Sequence, residues 1–279
     1  MKNFDRFFQR IYEQPLENRK DWYAESTIAY AQYRAPYVEG IIEQVCNELN
    51  LVSGSKLLEI GSGPGNASQH FIRRGYDITC VEPNTAACLF AQERFRDFSN
   101  AKIVNSTFEE WSDNQKQKFD VAIASTSFHW LDAETRCERL ANLLKPEGKM
   151  VLLWCTAPHP KNEAYQYIDP IYQQYMPSFA DYENFETQRR NINRISQELI
   201  TSSYFTDLKH FEAVGDRLYT SEEYLSLLTT LSPYIALSTE RRESFFQELR
   251  QIFSSNTIEQ FQTKYICAAH IASKQQVSH

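Results

Sequence analysis

The sequence predicts an α/β fold, a mostly parallel sheet covered by helices on both faces, and two observations carry that expectation. Short runs of nearly continuous apolar residues alternate with segments whose apolar residues recur at helical spacing, the pattern of strands buried on both faces. One such run, "KLLEI" from Lys56 to Ile60, passes directly into "GSGPGN", where Gly61, Gly63 and Gly65 alternate with Ser62 and Pro64. A chain changes from stiff to permissive where its backbone must turn sharply and come close to something, because glycine has no Cβ. With 279 residues, the length allows one large domain or one domain with a substantial insertion.

Each element follows in order. Val38, Ile41, Ile42, Val45 and Leu49 form one apolar stripe with Glu39, Glu43 and Glu48 off it, which predicts a packed helix before the glycine segment. After that segment come a short helix from about Asn66 to Arg74, a strand over Asp77–Glu82 ("DITCVE"), and a helix with Ala87, Phe90, Ala91 and Phe95 on one face. A short strand near Ile103, a strand over Phe119–Ser125 ("FDVAIAS"), a helix using Cys137, Leu140, Ala141 and Leu144, a "KPEG" turn and a strand over Lys149–Cys155 continue the alternation. From Thr156 to Tyr204 the texture changes. Tyr165, Tyr167, Tyr172, Tyr175, Phe179, Tyr182 and Phe185 sit among polar residues and prolines with no strand pattern, which predicts a helical insertion. "DLKHFEAVGDRLYT" then reads as a strand, helices are expected around Ser221–Leu231 and Thr239–Phe253, and "IEQFQTKYICAAH" alternates like a closing strand. The division expected is therefore 1–155, 156–204 and 205–279.

Composition narrows the partners. A net charge of -7 and a pI near 5.5 argue against a basic face for nucleic acid. No apolar run approaches the roughly 20 residues needed to span a bilayer, and "MKNFDRFFQRIYEQ" carries charges where a signal peptide is apolar, so no membrane partner and a cytoplasmic location are expected. The six cysteines are scattered without a CxxC pair, and the six histidines lack HExxH or HxH spacing. Neither a zinc site nor a disulfide framework is expected, and the thiols read as reduced and mostly buried.

A strand, a glycine turn and a helix start place unpaired N–H groups and the positive helix end at the carboxyl edge of the sheet, where open α/β folds bind ligands. The nicotinamide fingerprint G-x-G-x-x-G would need a glycine or alanine where Asn66 stands, and a P-loop would need Gly-Lys-Ser/Thr. Glu82 lies about 20 residues beyond the turn at a strand end, the place from which a carboxylate accepts hydrogen bonds from two ribose hydroxyls. The competing reading is a solvated turn carboxylate.

With these residues in place, the sequence resembles the class I S-adenosylmethionine-dependent methyltransferases, in the small-molecule branch that includes trans-aconitate methyltransferase-like proteins. "LLEIGSGPG" is similar to their first motif, "VEPN" to the end of their second strand, and "FDVAIASTSFHWLD" and "LLKPEGKMVLLW" to their fourth and fifth strands. "YAQYRAPY" resembles the branch's Tyr-Arg-Pro segment. The resemblance covers roughly residues 30–155 and implies a Rossmann-like, doubly wound sheet of seven strands, with a C-terminal antiparallel strand and a helical lid. It implies S-adenosylmethionine as cofactor, with Glu59 at the methionine ammonium, Gly61, Gly63 and Gly65 in the turn, and Glu82 and Pro83 after the second strand. Ser106, Thr107 and Phe108 would lie beside adenine, Ser125 at the end of the fourth strand, and Arg34 at the cofactor carboxylate. Where the family carries an acidic residue followed by a small one after strand three, this chain has Ser106 and Thr107, which leaves Glu109 and Glu110 out of the expected site. Each position has a plainer reading: Glu59 bonded to local N–H groups, Phe108 in the core, Arg34 on the surface.

Methyl transfer from a sulfonium needs an acceptor held in line with water excluded more than it needs acid–base machinery. Ser125, Ser127, Phe128, His129 and Trp130 follow the fourth strand, and His129 is the candidate base, with a merely packed histidine as the alternative. A small-molecule acceptor is expected beneath the inserted segment, through a carboxylate or hydroxyl oxygen, and Arg189, Arg190 and Arg194 could meet an anionic one. Three alternatives stand beside this reading: a non-catalytic S-adenosylmethionine-binding protein, a nicotinamide-dependent oxidoreductase, and lipid cyclopropane synthesis. The last lacks a basic or amphipathic membrane face.

Overall fold

A computed structural model describes residues 19–160, 162–177 and 184–276. They form two compact units. One comprises the chain up to Ala35 with Thr156–Gln188 and Val214–Tyr265; the other comprises Pro36–Cys155, Arg189–Ala213 and the chain from Ile266 onward. The expected insertion is thus shared out, with 156–188 in the first unit and 189–204 in the second.

Helices α1 (Thr27–Tyr33) and α2 (Glu39–Glu48) lead into β1 (Lys56–Ile60), α3 (Ser68–Ile72), β2 (Asp77–Glu82), α4 (Thr85–Arg94), β3 (Ala101–Asn105) and α5 (Phe108–Asp113). Then come β4 (Phe119–Ser125), α6 (Arg136–Leu143), β5 (Leu144–Cys155), β6 (His159–Pro160), α7 (Asn162–Tyr175), α8 (Phe185–Thr201) and β7 (Phe205–Thr220). Helices α9 (Ser221–Leu228), α10 (Ser232–Ile235) and α11 (Thr239–Ser255) precede β8 (Gln260–Lys274).

The sheet runs β3-β2-β1-β4-β5-β8-β6, with β7 also paired to β8. Strands β1 to β5 are mutually parallel, and β8 runs antiparallel to β5, from Lys149 opposite Ser273 to Cys155 opposite Cys267. The parallel α/β architecture is therefore as expected, with eight strands where seven were expected. The additional one is β6, two residues that pair with Thr263 and Lys264. Three helices separate β7 from β8, so the closing pair is no tight hairpin. Leu144, expected on a helix, begins β5 by pairing with Phe119, and the register shifts before Val121. Val121–Ala124 and Met150–Trp154 are buried throughout, as strands covered on both faces must be.

Outside that sheet core, Ile168, Ile171 and Tyr172 of α7 pack with Tyr224, Leu225 and Leu228 of α9 and with Phe245 and Leu249 of α11 in a second core. Tyr172 and Tyr234 share a hydrogen bond at 2.5 Å, and the Tyr175 hydroxyl donates to Glu248 at 2.6 Å. Thr220 and Glu223 close a capping box at the start of α9. Tyr172 and Tyr175, aromatics of the expected insertion, are thus bonded within this unit, while Tyr167 is exposed. Phe179 and Tyr182 lie outside the described residues. Phe245 is fully enclosed among Tyr172, Tyr175, Tyr234 and Phe246. Phe245→Ala is expected to cost about 3–5 kcal/mol of stability, read as a fall in the thermal midpoint. A midpoint shift within error would show that this core carries little of the fold.

Among the described residues no helix is long and apolar enough to cross a membrane, and no group of three or more His, Cys, Asp or Glu side chains could hold a metal ion.

Candidate active site

The three turn glycines differ in what they face. All take left-handed φ, +63° at Gly61, +55° at Gly63 and +84° at Gly65. A Cβ at Gly61 would stand 2.6 Å from Cβ of Ser127, and one at Gly65 would stand 2.4 Å from the Phe95 ring. A Cβ at Gly63 would meet nothing within 4 Å. Gly61 and Gly65 therefore let the turn pack on protein, whereas Gly63 presents backbone to open space. Hydrogen bonds from the Gly61 N–H to the Val81 carbonyl (2.8 Å) and from the Gly65 N–H to the Ser62 carbonyl (3.1 Å) fix the turn against β2.

Glu82, at the end of β2, is only 8 % exposed, which overturns the solvated-carboxylate reading. One of its oxygens accepts from the Gly63 N–H at 2.8 Å and the other from the Asn84 N–H at 2.9 Å. Burial pushes its carboxyl up to about 6, against the opposing pull of those two donors. Asn84 in turn caps α4, its side chain accepting from the Ala87 N–H at 2.9 Å.

Glu59 is fully enclosed. Its Oε2 accepts from the Ser68 hydroxyl, while its Oε1 and the hydroxyls of Ser62 and Ser125 are buried without a hydrogen-bond partner among the described residues. Burial raises its carboxyl to about 7, Ser68 and Ser125 pull it down, and the charge of Glu82 adds to the rise. Ser125 is near enough to favour the ionised carboxylate. Buried oxygens without donors are costly and call for a ligand with donors to offer. Between 4.5 and these raised values each carboxyl holds a proton in the folded state that it has lost in the unfolded chain, so their contribution to stability is present below 4.5 and is lost as pH rises through about 6 and 7. Glu59→Gln is expected to flatten the decline of the thermal midpoint across that window. An unaltered pH profile would refute the buried, protonated state.

Beyond β4 the chain takes a shape that the sequence does not signal. Thr126 has φ +56°, a strained conformation for a β-branched residue, and its N–H donates to the Leu153 carbonyl at 2.8 Å. The Ser127 hydroxyl donates to the Ile60 carbonyl, tying this bend to β1. A short 3₁₀ turn, Phe128–Trp130, follows. Arg136, buried and paired with Glu198, lies 4.3 Å over the Phe128 ring and donates to the Phe128 carbonyl at 3.2 Å. His129 stacks on Trp154 of β5 (5.9 Å between centroids, 25°) and tilts against Trp130 (5.7 Å). Trp154, absent from the sequence-based site, thus supports the candidate base.

The other expected residues divide. The Ser106 N–H donates to the Glu82 carbonyl at 3.1 Å, and the Pro83 carbonyl accepts from Asn105 at 2.9 Å, so both border the same strand ends as Glu82. The Thr107 hydroxyl accepts from the Glu110 N–H and donates to the Glu110 carboxylate, capping α5. Phe108 is 3 % exposed, a core position. Arg34 belongs to the other unit, where it donates to the Thr230 carbonyl at 2.8 Å and lies 4.6 Å over Tyr30; it is no free surface arginine. Arg189 is paired with Glu212.

Comparison with known proteins points to a methyltransferase domain. Residues 58–150 match a methyltransferase domain family. An uncharacterized methyltransferase-like protein of Schizosaccharomyces pombe is 23% identical over 233 residues, covering 80% of this chain and 82% of that protein. The trans-aconitate 2-methyltransferase of Rhodopseudomonas palustris is 24% identical over 133 residues, 47% of this chain and 49% of that one. A provisionally named type II methyltransferase from Anaeromyxobacter dehalogenans superposes with a TM-score of 0.61 at 16% identity, covering 88% of this chain and all of that one, which shows a shared fold.

Proposed function

We propose an acceptor class and a division of labour for a chain that is a class I S-adenosylmethionine-dependent methyltransferase: it methylates a small molecule at a carboxylate or hydroxyl oxygen. S-adenosylmethionine supplies an activated sulfonium methyl when bound. The observation that carries the assignment of residues is Gly63, the turn glycine whose Cα faces open space while its N–H is held by Glu82.

Glu82 keeps lone pairs beyond those given to Gly63 and Asn84, and these can accept from ribose hydroxyls. Glu59, with an unpartnered buried oxygen and Ser125 beside its carboxylate, complements the methionine ammonium. Pro83 and Ser106 border the adenine side, with Thr107 holding the start of α5 and Phe108 filling the core behind it. The chain's chief task is to orient and to exclude water. A carboxylate acceptor loses no proton in the transfer. A hydroxyl acceptor must lose one, and His129, braced on Trp154, is the group after β4 that can take it.

Similarity to trans-aconitate 2-methyltransferase over about half of each chain supports a small carboxylate-bearing acceptor. The test is incubation with S-adenosylmethionine and a panel of small di- and tricarboxylic acids and phenols, followed by mass spectrometry. A gain of one methyl on an acid or a phenol, with matching S-adenosylhomocysteine, is the expected result. Methylation confined to amines, or cofactor binding with no turnover on any acceptor, would overturn the oxygen assignment.

A further inference from the structure

Cys155 and Cys267 stand directly opposite each other across β5 and β8, the last pair of that antiparallel ladder. Residues so paired have Cα atoms about 4.5 or 5.5 Å apart, according to their place in the hydrogen-bond pattern, and both spacings lie within the range a disulfide spans. Cys155 is half-buried and Cys267 is fully enclosed. Both sulfurs also hold the same short connector: the Cys155 thiol donates to the Pro36 carbonyl at 3.5 Å, and the Cys267 sulfur accepts from the Val38 N–H at 3.4 Å. The neighbouring Cys155 sulfur, and after it that N–H, hold the Cys267 thiol below its ordinary range, although burial opposes the shift. The four remaining cysteines are buried without such a partner strand position, and burial raises the thiols of Cys46, Cys80, Cys88 and Cys137.

We infer that Cys155 and Cys267 form a reversible thiol–disulfide site, in which the accessible Cys155 reacts with a small-molecule disulfide and the enclosed Cys267 resolves the adduct. In the first step the Cys155 thiolate attacks one sulfur of the disulfide, forming a mixed disulfide and releasing one thiolate. In the second the Cys267 thiolate attacks the Cys155 sulfur, forming the cross-strand bond and releasing the second thiolate. The two cysteines lose two electrons and two protons; the small disulfide takes both electrons, and the protons finish on its two thiols. Once the bond forms, the Pro36 carbonyl loses its thiol donor, so the modification reaches the connector before α2. Such reversible pairs are the form disulfides take in a reducing compartment.

Oxidised glutathione provides the test. The reduced full-length protein is incubated with it, quenched by alkylation in denaturant and mapped by peptide mass spectrometry. A linked peptide joining Cys155 to Cys267, preceded by a transient glutathionyl adduct on Cys155 and reversed by dithiothreitol, is expected. Cys267→Ser should trap that adduct, and Cys155→Ser should abolish both species. A stable Cys155 adduct in the wild-type chain, or linkage through other cysteines instead, would overturn the inference. The wild-type time course decides the matter even where a variant folds poorly.

Discussion

Gly63→Val is expected to abolish S-adenosylmethionine binding while leaving the chain folded. A valine at Gly61 or Gly65 would strike Ser127 or Phe95 and damage the turn itself, but at Gly63 the new methyls enter open space. In the proposed assignment that space is where the cofactor meets the backbone. Two effects add: the branched side chain occupies ligand volume, and φ +55° disfavours any β-branched residue by about 1–2 kcal/mol. A fall in affinity beyond a hundredfold in calorimetry, with a thermal midpoint lowered by only a few degrees, is the expected pair of readings. Residual binding within tenfold of wild type by a folded variant would show that the turn does not face ligand.

Glu82→Ala is expected to have the second largest effect, and through two routes. Hydrogen bonds to a charged group contribute roughly 1.5–3 kcal/mol each, so loss of both ribose contacts should reduce affinity by at least tenfold per bond. The same substitution strips acceptors from the Gly63 and Asn84 N–H groups, loosening the turn before any ligand arrives. Glu82→Gln separates the routes, because its amide oxygen still accepts one backbone bond while its NH₂ cannot accept from a hydroxyl. Affinity should therefore fall in both variants, and stability mainly in the alanine one. S-adenosylhomocysteine binding unchanged in both would refute the ribose assignment.

What was legible in the sequence was encoded locally. The apolar runs of β1, β2, β4 and β5, the glycine turn and the carboxylate ending β2 each carry their signal within a few residues. What was not legible depends on partners distant along the chain. Nothing near Gly61 or Gly65 announces Ser127 or Phe95, and nothing near Thr126 announces a left-handed bend, because the Leu153 carbonyl that fixes it lies on another strand. His129 could be named as a candidate base, but the Trp154 ring that braces it could not. Arg34 is similar: its motif suggested a ligand contact, and the Thr230 carbonyl that its guanidinium bonds is again a partner distant along the chain. Within 156–204 the helices α7 and α8 were legible, but their division between two units was not, since both look equally amphipathic in sequence.

The position of β8 in the sheet has a consequence for the order in which the protein is made. Lys149 pairs with Ser273, 124 positions later, and β8 follows every other strand along the chain. At translation rates of about 5–20 residues per second, β5 waits roughly 6–25 seconds for its antiparallel neighbour. Throughout that interval Val151, Leu152 and Leu153 carry an unpaired ladder edge on a nascent chain, a template for association with other chains. The same long-range pairing slows refolding, because the loop must close before its contacts form. Synthesis is therefore an interval in which this edge is exposed to association, and slower elongation between β5 and β8 lengthens it.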